Sequence, residues 1–344
     1  MKLRNRLLLY IIVGMTLATL LYYGIFYLFV YYSYQHLEED EAKKNLHRCQ
    51  AALQRELEQL SIFTGDWAAW DDTYKFIEDH NDEYIKSNLS QITFTDNHLV
   101  LIYYYDANHQ PVWGKFFRGD FLTPVSEPIL EKPDLTKLAN LFRHKDVDHF
   151  IHGLMRLGEM EILLTSYAIT TSDKKGAIRG TLLMGRPLND DAINRLRHQT
   201  DVDFKLWSIG ESPLPKKQHA ILARLTDPDM VELEWASSKI LNAYAVINDI
   251  NGKPMLLLQA ATPRHITTQG RTTIHYTLGF LLAFSIVIII VFIRMTDRLV
   301  IKPLEQLTQS ALIIGKTADL SLPVAMDRHD EIGVLSREFD SMNH

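Results

Sequence analysis

Residues 7–30 read LLLYIIVGMTLATLLYYGIFYLFV and residues 274–293 read IHYTLGFLLAFSIVIIIVFI, and neither run holds an Asp, Glu, Lys or Arg. A hydrocarbon core about 30 Å thick takes roughly 20 apolar residues of helix at about 1.5 Å each. Both runs reach that length, so each is expected to cross a membrane. The intervening residues, 31–273, are of mixed composition, and only a short segment follows the second run. The expected order is span, large outer domain, span, short inner tail, which is the layout of a receptor.

Positive charge near span ends stays cytoplasmic. Lys2, Arg4 and Arg6 precede the first run, and Arg294, Arg298 and Lys302 follow the second. Lys43, Lys44, Arg264 and Arg271 on the outer flanks count the other way. Glu38, Glu39, Asp40 and Glu41 offset them, and long domains cross largely regardless of charge. The first run ends in Phe29, Val30, Tyr31 and Tyr32 instead of small residues, which favours an uncleaved anchor over a signal peptide. Tyr22, Tyr23, Phe26 and Tyr27 suit an aromatic belt at the outer interface. The expected segments are a cytoplasmic N-terminus at 1–6, spans at 7–32 and 273–293, an extracytoplasmic domain at 33–272 and an inner module at 294–344.

Thirty-six basic and 42 acidic residues give a net charge of −6, so no basic field for nucleic acid exists. Cys49 is the only cysteine, so an exported domain must rest on its packed core and not on an intrachain disulfide. The thiol is expected to be buried and inert, the alternative being a bond to its own copy in a dimer.

From about Gln35 to Ile77, apolar residues recur in steps of three and four: Leu46, Cys49, Leu53, Leu57, Leu60, Phe63, Trp67, Trp70, Tyr74 and Ile77. That pattern predicts a long helix with one buried stripe, weakest at Gly65, where Asp66 offers a fresh cap. Strand-like stretches follow at 99–106, 112–117, 161–170, 178–186, 201–207, 243–247 and 254–261. A helix is predicted at 189–199, and Asn251-Gly252 signals a hairpin. Residues 210–240 read as loop and short helix. Hairpin-joined strands with helices at the ends predict an α+β domain with an antiparallel sheet.

The densest chemistry lies in Gly65-Asp66-Trp67-Ala68-Ala69-Trp70-Asp71-Asp72-Thr73-Tyr74, which holds two of the five tryptophans. On one helix, Trp67, Asp71 and Tyr74 share a face, and Asp66, Trp70 and Thr73 share another. Such a segment either glues aromatic faces to a sheet or walls a pocket for a cationic or hydroxylated ligand.

The string 66–74 resembles the signature of the CHASE type-four sensor family. So do Gly180-Thr181-Leu182-Leu183-Met184-Gly185-Arg186-Pro187-Leu188 and Asp249-Ile250-Asn251-Gly252-Lys253-Pro254, the latter leading to Thr262-Pro263-Arg264. The resemblance covers most of residues 40–270. It implies a PAS/Cache-like extracytoplasmic sensor, attached in bacterial inner (cytoplasmic) membranes to diguanylate cyclases, phosphodiesterases or histidine kinases. It implies no cofactor and names no ligand. Trp67, Trp70, Asp71, Asp72, Tyr74 and Arg186 are the candidate ligand-binding residues, for an outside small molecule or protein.

Past the second run, Leu304, Leu307, Ala311 and Ile314 step 3, 4, 3 after Pro303, which suits a helix's first turn. Ile332, Leu335, Phe339 and Met342 step 3, 4, 3 again after Glu331, beyond a linker from Gly315 to Arg328. Two heptad helices cannot bury their stripes alone, so two copies in a parallel four-helix bundle are expected. The segment resembles a HAMP domain through Pro303-Leu304 and Asp330-Glu331-Ile332-Gly333-Val334-Leu335. These ten heptad and flanking residues are the expected relay of a homodimer.

Three rival readings remain, the first being a receptor for a periplasmic protein partner, which nothing in the sequence excludes. His144, His149 and His152, with Asp146 and Asp148 between, would suit a metal or haem sensor if His149 and His152 shared a helix face. An enzyme is disfavoured: the chain has no Walker loop, no G-x-S-x-G elbow and no H-E-x-x-H, and adjacent Asp71 and Asp72 on a helix diverge by about 100°. The sequence stops at His344, two residues past Met342. No output domain is expected within it, and cyclic-di-GMP turnover or a histidine kinase is expected in a longer chain or a partner.

Overall fold

A computed structural model describes residues 3–118, 123–133, 135–210, 213–227, 229–317 and 327–342. Lys2, His344 and most of the expected linker, residues 318–326, lie outside the described residues. The chain divides into two compact units, Leu37–Arg264 and a second made of Met1–His36 with His265–His344.

The first unit begins on α1 (Leu3–Ala68). The predicted stripe is its buried face: Leu46, Cys49, Leu53, Leu57 and Leu60 are all within the core. The helix does not run on to Ile77, nor does it break at Gly65. Gly65 stays helical, its carbonyl accepting from Ala69 N at 2.9 Å, and the chain breaks at Ala69–Trp70 before α2 (Asp71–Asp79). The glycine is needed for space, because a Cβ there would sit 3.0 Å from the Tyr167 ring. Asn81 then caps α3 (Asp82–Asn88), accepting from the backbone N–H groups of Glu83 and Tyr84 at 2.8 and 3.2 Å, and α4 (Gln91–Asp96) follows.

The strands β1 (Leu101–Asp106) and β2 (Pro111–Phe116) form the expected hairpin. Two short helices, α5 (Pro128–Glu131) and α6 (Leu135–Phe142), precede β3 (Phe150–Leu157), β4 (Met160–Ile169) and β5 (Gly180–Pro187). These five strands make one antiparallel sheet in the order β2-β1-β5-β4-β3. Alternation splits its side chains between two layers. Ile102, Tyr104, Leu163, Leu182 and Met184 pack with the α1 stripe. Leu101, Tyr103, Tyr105, Ile162, Leu164 and Leu183 pack with Leu130, Leu138, Leu141 and Phe142 of α5 and α6. A strand covered on both faces reads as an unbroken apolar run, which is why β1 is LIYYY with all five residues buried.

After α7 (Asp190–Thr200), a second antiparallel sheet forms from β6 (Asp203–Ser208), β7 (Glu232–Trp235), β8 (Ile240–Asn248) and β9 (Pro254–Pro263), in the order β6-β9-β8-β7. Between β6 and β7 lies α8 (Lys216–Leu222). Leu241, Ala243, Ala245, Leu256, Leu258 and Ala260 join the same core as α1, whereas Tyr244, Val246 and Leu257 pack with Ile221 and Leu225. One helix thus backs two sheets. The α+β class with antiparallel pairing holds, with β3 and β7 as strands that the pattern did not show. In β3, His152, Gly153 and Arg156 interrupt the alternation of an edge strand, and β7 has only four residues.

The other unit comprises the start of α1, α9 (His265–Thr296), a π-helical turn (Asp297–Ile301), α10 (Lys302–Thr317) and α11 (Glu331–Met342). Leu17, Leu20, Leu21, Phe29, Tyr276 and Phe280 point outward, 64–77% exposed, as lipid-facing side chains must. Pro303 is the second residue of α10, in its first turn as the sequence places it, and α10 follows the π-helical turn directly. A proline there removes the hydrogen bond to the carbonyl four residues back, which is that of Leu299. The π-helical turn absorbs the misfit, and Arg328 donates through Nη2 to Leu299 O at 2.9 Å. Asp330 holds Arg328 and accepts from Gly333 N at 3.0 Å, starting α11 where the sequence places it.

Candidate functional site

The tryptophan string sits where α1 gives way to α2, and its polar groups are used to dock that corner on the β4–β5 loop. Thr170 N donates to Ala68 O at 3.1 Å, taking a carbonyl at the helix end. Asp71 Oδ1 accepts from Ser172 N at 2.9 Å, and Asp71 N donates to Ser172 Oγ at 3.3 Å. Arg179 lies over the Tyr74 ring, Cζ to centroid 3.7 Å, and donates to Tyr74 O at 3.2 Å and to Glu78 at 3.0 Å. The β4–β5 loop is therefore the partner that moves the break away from Gly65.

The rings extend inward as a chain. Phe63 meets Trp67 at 5.6 Å, Trp67 meets Trp70 at 6.3 Å, and Trp70 meets Tyr84 at 6.1 Å. Tyr84 stacks on Phe76 at 4.5 Å and shares hydroxyl contacts with Thr73 at 2.6 Å and Tyr104 at 3.2 Å. Burial pushes the Tyr84 and Tyr104 hydroxyls above their usual range, so both are neutral hydrogen-bonding groups. Because the helix breaks, Trp70 and Thr73 do not share the face with Asp66 that a continuous helix would give. Trp70 and Asp72 keep surface exposed, whereas Trp67 and Tyr74 are half-buried against the core.

Arg186 belongs to a different locality. It donates to Asn97 O at 3.1 Å and to Glu56 at 3.3 Å, and burial lowers its pKa against the pull of Glu56. The histidines also separate. His149 precedes β3 and His152 lies within it, so the two share no helix face. His152 Nδ1 pairs with Ser61 Oγ at 2.9 Å, while His144 Nδ1 bonds His149 O at 3.1 Å. Burial pushes the His144 imidazole down to about 4, so its ring is neutral at pH 7. Among the described residues, no three His, Cys, Asp or Glu side chains gather as a metal site.

Concave space lies between the two sheets. The string 249–254 is the β8–β9 turn, and Ile250 N donates to Leu154 O at 2.8 Å, tying the second sheet to edge strand β3. Gly153 allows that approach, since a Cβ there would lie 3.0 Å from Ile250. One cleft, about 610 Å³, lies between α1, β3 and the end of β8; another, about 620 Å³, is lined by Met155, Arg156, Ile209 and Lys253. The contributions of Ser172 and Arg179 are not readable from the sequence, because each acts through a partner about 100 residues away.

Comparison with known proteins adds family to geometry. Residues 52–207 match the CHASE4 domain and residues 298–342 match the HAMP domain. Over 267 residues the chain is 28% identical to the methanogenesis regulatory histidine kinase FilI of Methanothrix harundinacea (strain 6Ac). That alignment takes in 75% of this chain, which spans 28% of the length of the relative. Among solved structures, the periplasmic domain of Vibrio cholerae LuxQ matches at a TM-score of 0.42 and 12% identity, covering 64% of this chain and 99% of that one. The ligand-binding domain of Campylobacter jejuni chemoreceptor Tlp3, in complex with L-valine, matches at 0.41 and 13%, covering 70% and 98%.

Proposed function

We propose that this chain, which carries a CHASE4 domain followed by a HAMP domain, is the input and relay part of a homodimeric transmembrane receptor in the cytoplasmic membrane. Residues 33–272 are its extracytoplasmic sensor, and a ligand there biases the cytoplasmic helices. One observation carries the reading: α1 is a single helix from Leu3 to Ala68 that holds both the first apolar run and the buried stripe of the sensor core. A ligand that favours one packing of the sheets on that stripe shifts the population by no more than its differential affinity. The shift reaches the relay as a small piston, tilt or rotation.

The relay needs a second copy. In one chain, Leu304, Leu335 and Met342 are 36%, 54% and 75% exposed, so their heptad positions await a partner. A parallel four-helix bundle built from Leu304, Leu307, Ala311, Ile314, Ile332, Leu335, Phe339 and Met342 covers them. The likeness to FilI favours a histidine kinase as the output over cyclic-di-GMP turnover.

The test is cysteine crosslinking in membranes with the natural thiol replaced (Cys49→Ser). Single cysteines at Leu304, Leu307, Ala311 and Ile314 are expected to crosslink between copies more strongly than those at Glu305 and Gln309. The 304–314 pattern is further expected to change when the sensor is stimulated. Equal crosslinking at all six positions would overturn the bundle, and a pattern insensitive to every stimulus would overturn the relay.

A further inference from the structure

We infer that the β7–β8 turn, Trp235 to Ile240, is a membrane-docking surface that sits in the phospholipid headgroup layer. This rests on the reading of residues 33–272 as the outer part of a receptor, and it gives that part an attachment to the membrane besides its two chain ends. All six residues from Trp235 to Ile240 are exposed, Trp235 and Ile240 each by 40%. A tryptophan, an isoleucine and a lysine on one protruding turn suit a membrane–water interface. The indole is at home at headgroup level, and a lysine lays its stem on apolar surface while its ammonium stays among the phosphates.

The occupant follows from where the turn lies. Ile240 pairs with Pro263, the last residue of β9, and Arg264 N donates to Lys239 O at 2.8 Å. Arg264 also bonds Glu38, beside Leu37, which opens the sensor unit and is 50% exposed. The turn therefore belongs to the end of the unit where the chain enters and leaves. From there the apolar runs are close: Leu37 is seven positions past Val30, and Ile274 is ten past Arg264. Both stretches are helical, so at about 1.5 Å per residue they span about 10 Å and about 15 Å. The two helices also pack, since a Cβ on Gly270 would meet the Tyr34 ring at 2.7 Å. Headgroups occupy roughly 5–8 Å outside each face of the hydrocarbon core. The turn projects past the Ile240–Pro263 pair in the direction β9 runs, and the long side chains of Trp235 and Lys239 close the remaining gap.

The turn is held in shape before any lipid meets it. Ser237 Oγ accepts from Lys239 N and Ile240 N, both at 3.1 Å, and Ser237 N donates to Ile240 O at 3.2 Å. Among the described residues, neither the Lys239 ammonium nor the Trp235 indole N–H has a hydrogen-bond partner. Lipid phosphate oxygens accept from both. Glu39 and Asp40 follow Glu38 on α1, so the contact is with individual phosphates and carries no preference for a strongly anionic membrane. Arg264 joins the surface to the rest of the unit, with Cζ 4.5 Å from the Trp235 ring centroid and Nη1 donating to Ser238 O at 3.4 Å.

The experiment places one nitroxide at a time on the full chain in lipid nanodiscs, with the natural thiol replaced (Cys49→Ser). Ser238→Cys labels the turn, and Lys253→Cys labels the opposite end of the β8–β9 ladder, about 27 Å away at about 3.4 Å per residue from Ile240 to Asn248. A nickel chelate anchored to lipid headgroups is expected to broaden the 238 signal at least fivefold more than the 253 signal. Trp235→Ser combined with Lys239→Glu is expected to cut the 238 broadening at least twofold, with the 253 lineshape unchanged as the sign of an intact sheet. Equal broadening at the two positions, or a 238 signal indifferent to the paired substitution, would overturn the docking surface. An impermeant maleimide added outside sealed, right-side-out vesicles is expected to label Lys253→Cys. Labelling only from the cytoplasmic side would overturn the receptor reading itself, whereas labelling from outside with the 238 result failed overturns the docking alone.

Discussion

Arg264 donates through Nε to Glu38 Oε2 at 2.9 Å, tying together the two ends of the sensor unit across 226 positions of sequence. The carboxylate side chain is 1% exposed and the guanidinium side chain 14%, with Cζ of Arg264 4.5 Å from the centroid of the Trp235 ring. Removing one member of such a pair strands the other charge in a low-dielectric setting. Glu38→Ala is therefore expected to cost about 3 kcal/mol in denaturant unfolding of the detergent-solubilised chain. Replacing both, Glu38→Leu with Arg264→Met, is expected to restore most of that loss. A single variant within about 0.5 kcal/mol of the parent would show that the pair contributes no stability.

The Asp71 carboxylate bonds the backbone of Ser172, and the Ser172 hydroxyl bonds the backbone of Asp71, so each side chain carries one of two separate bonds. Asp71→Ala and Ser172→Ala are each expected to destabilise by about 1 kcal/mol, and the double variant by about their sum. An Asp71→Ala variant as stable as the parent in denaturant unfolding would show that its carboxylate does not dock the corner.

His144 sets a pH dependence. Its folded pKa is held at about 4, below the ordinary 6.5, by burial first and by neighbouring His149 and His109 after that. Between those values the unfolded chain binds a proton that the folded chain refuses, so stability rises with pH. The contribution is fully present above about 6.5 and is lost as pH falls toward 4. His144→Gln is expected to flatten the fall in melting temperature across that window; an unchanged slope would assign the acid sensitivity to other groups.

Cys49 is buried, and burial pushes its thiol up to about 11. Thiolate is the reactive form, and at pH 8 it would be about one part in a thousand before access is considered. Maleimide labelling is expected to be negligible in the folded chain and to appear with unfolding. Rapid labelling in buffer would place the thiol at the surface.

Much of this fold was written locally. The stripe from Leu46 to Leu60, the hairpin turns and the start of α11 at Glu331 follow from spacing, capping and turn chemistry, which act within a few residues. What escaped was decided at a distance. The break at Ala69–Trp70 depends on Thr170 and Ser172, and β3 is recognisable only beside β4, because His152, Gly153 and Arg156 spoil its alternation. In the tryptophan string, the Asp71 side chain docks the α1–α2 corner on Ser172, whereas the Thr73 hydroxyl bonds Tyr84. Nothing local distinguishes a carboxylate that docks a loop from one that waits for a ligand. The cleft was invisible because its lining comes from four segments, 50–57, 152–154, 229 and 246–250, that are far apart in sequence.

The helix that backs both sheets also sets an order of events. The sensor part of α1 is synthesised first, with Leu46, Leu53, Leu57 and Leu60 already spaced for burial, but its neighbours arrive much later. Asn45 Nδ2, for instance, donates to Thr262 Oγ1 at 3.0 Å across 217 positions. Until β8 and β9 have crossed the membrane, the stripe has no sheet to lie on, and such long-range closure is slow. The nascent chain therefore emerges with its stickiest surface uncovered, and export of this receptor depends on that face being shielded until the last strand arrives.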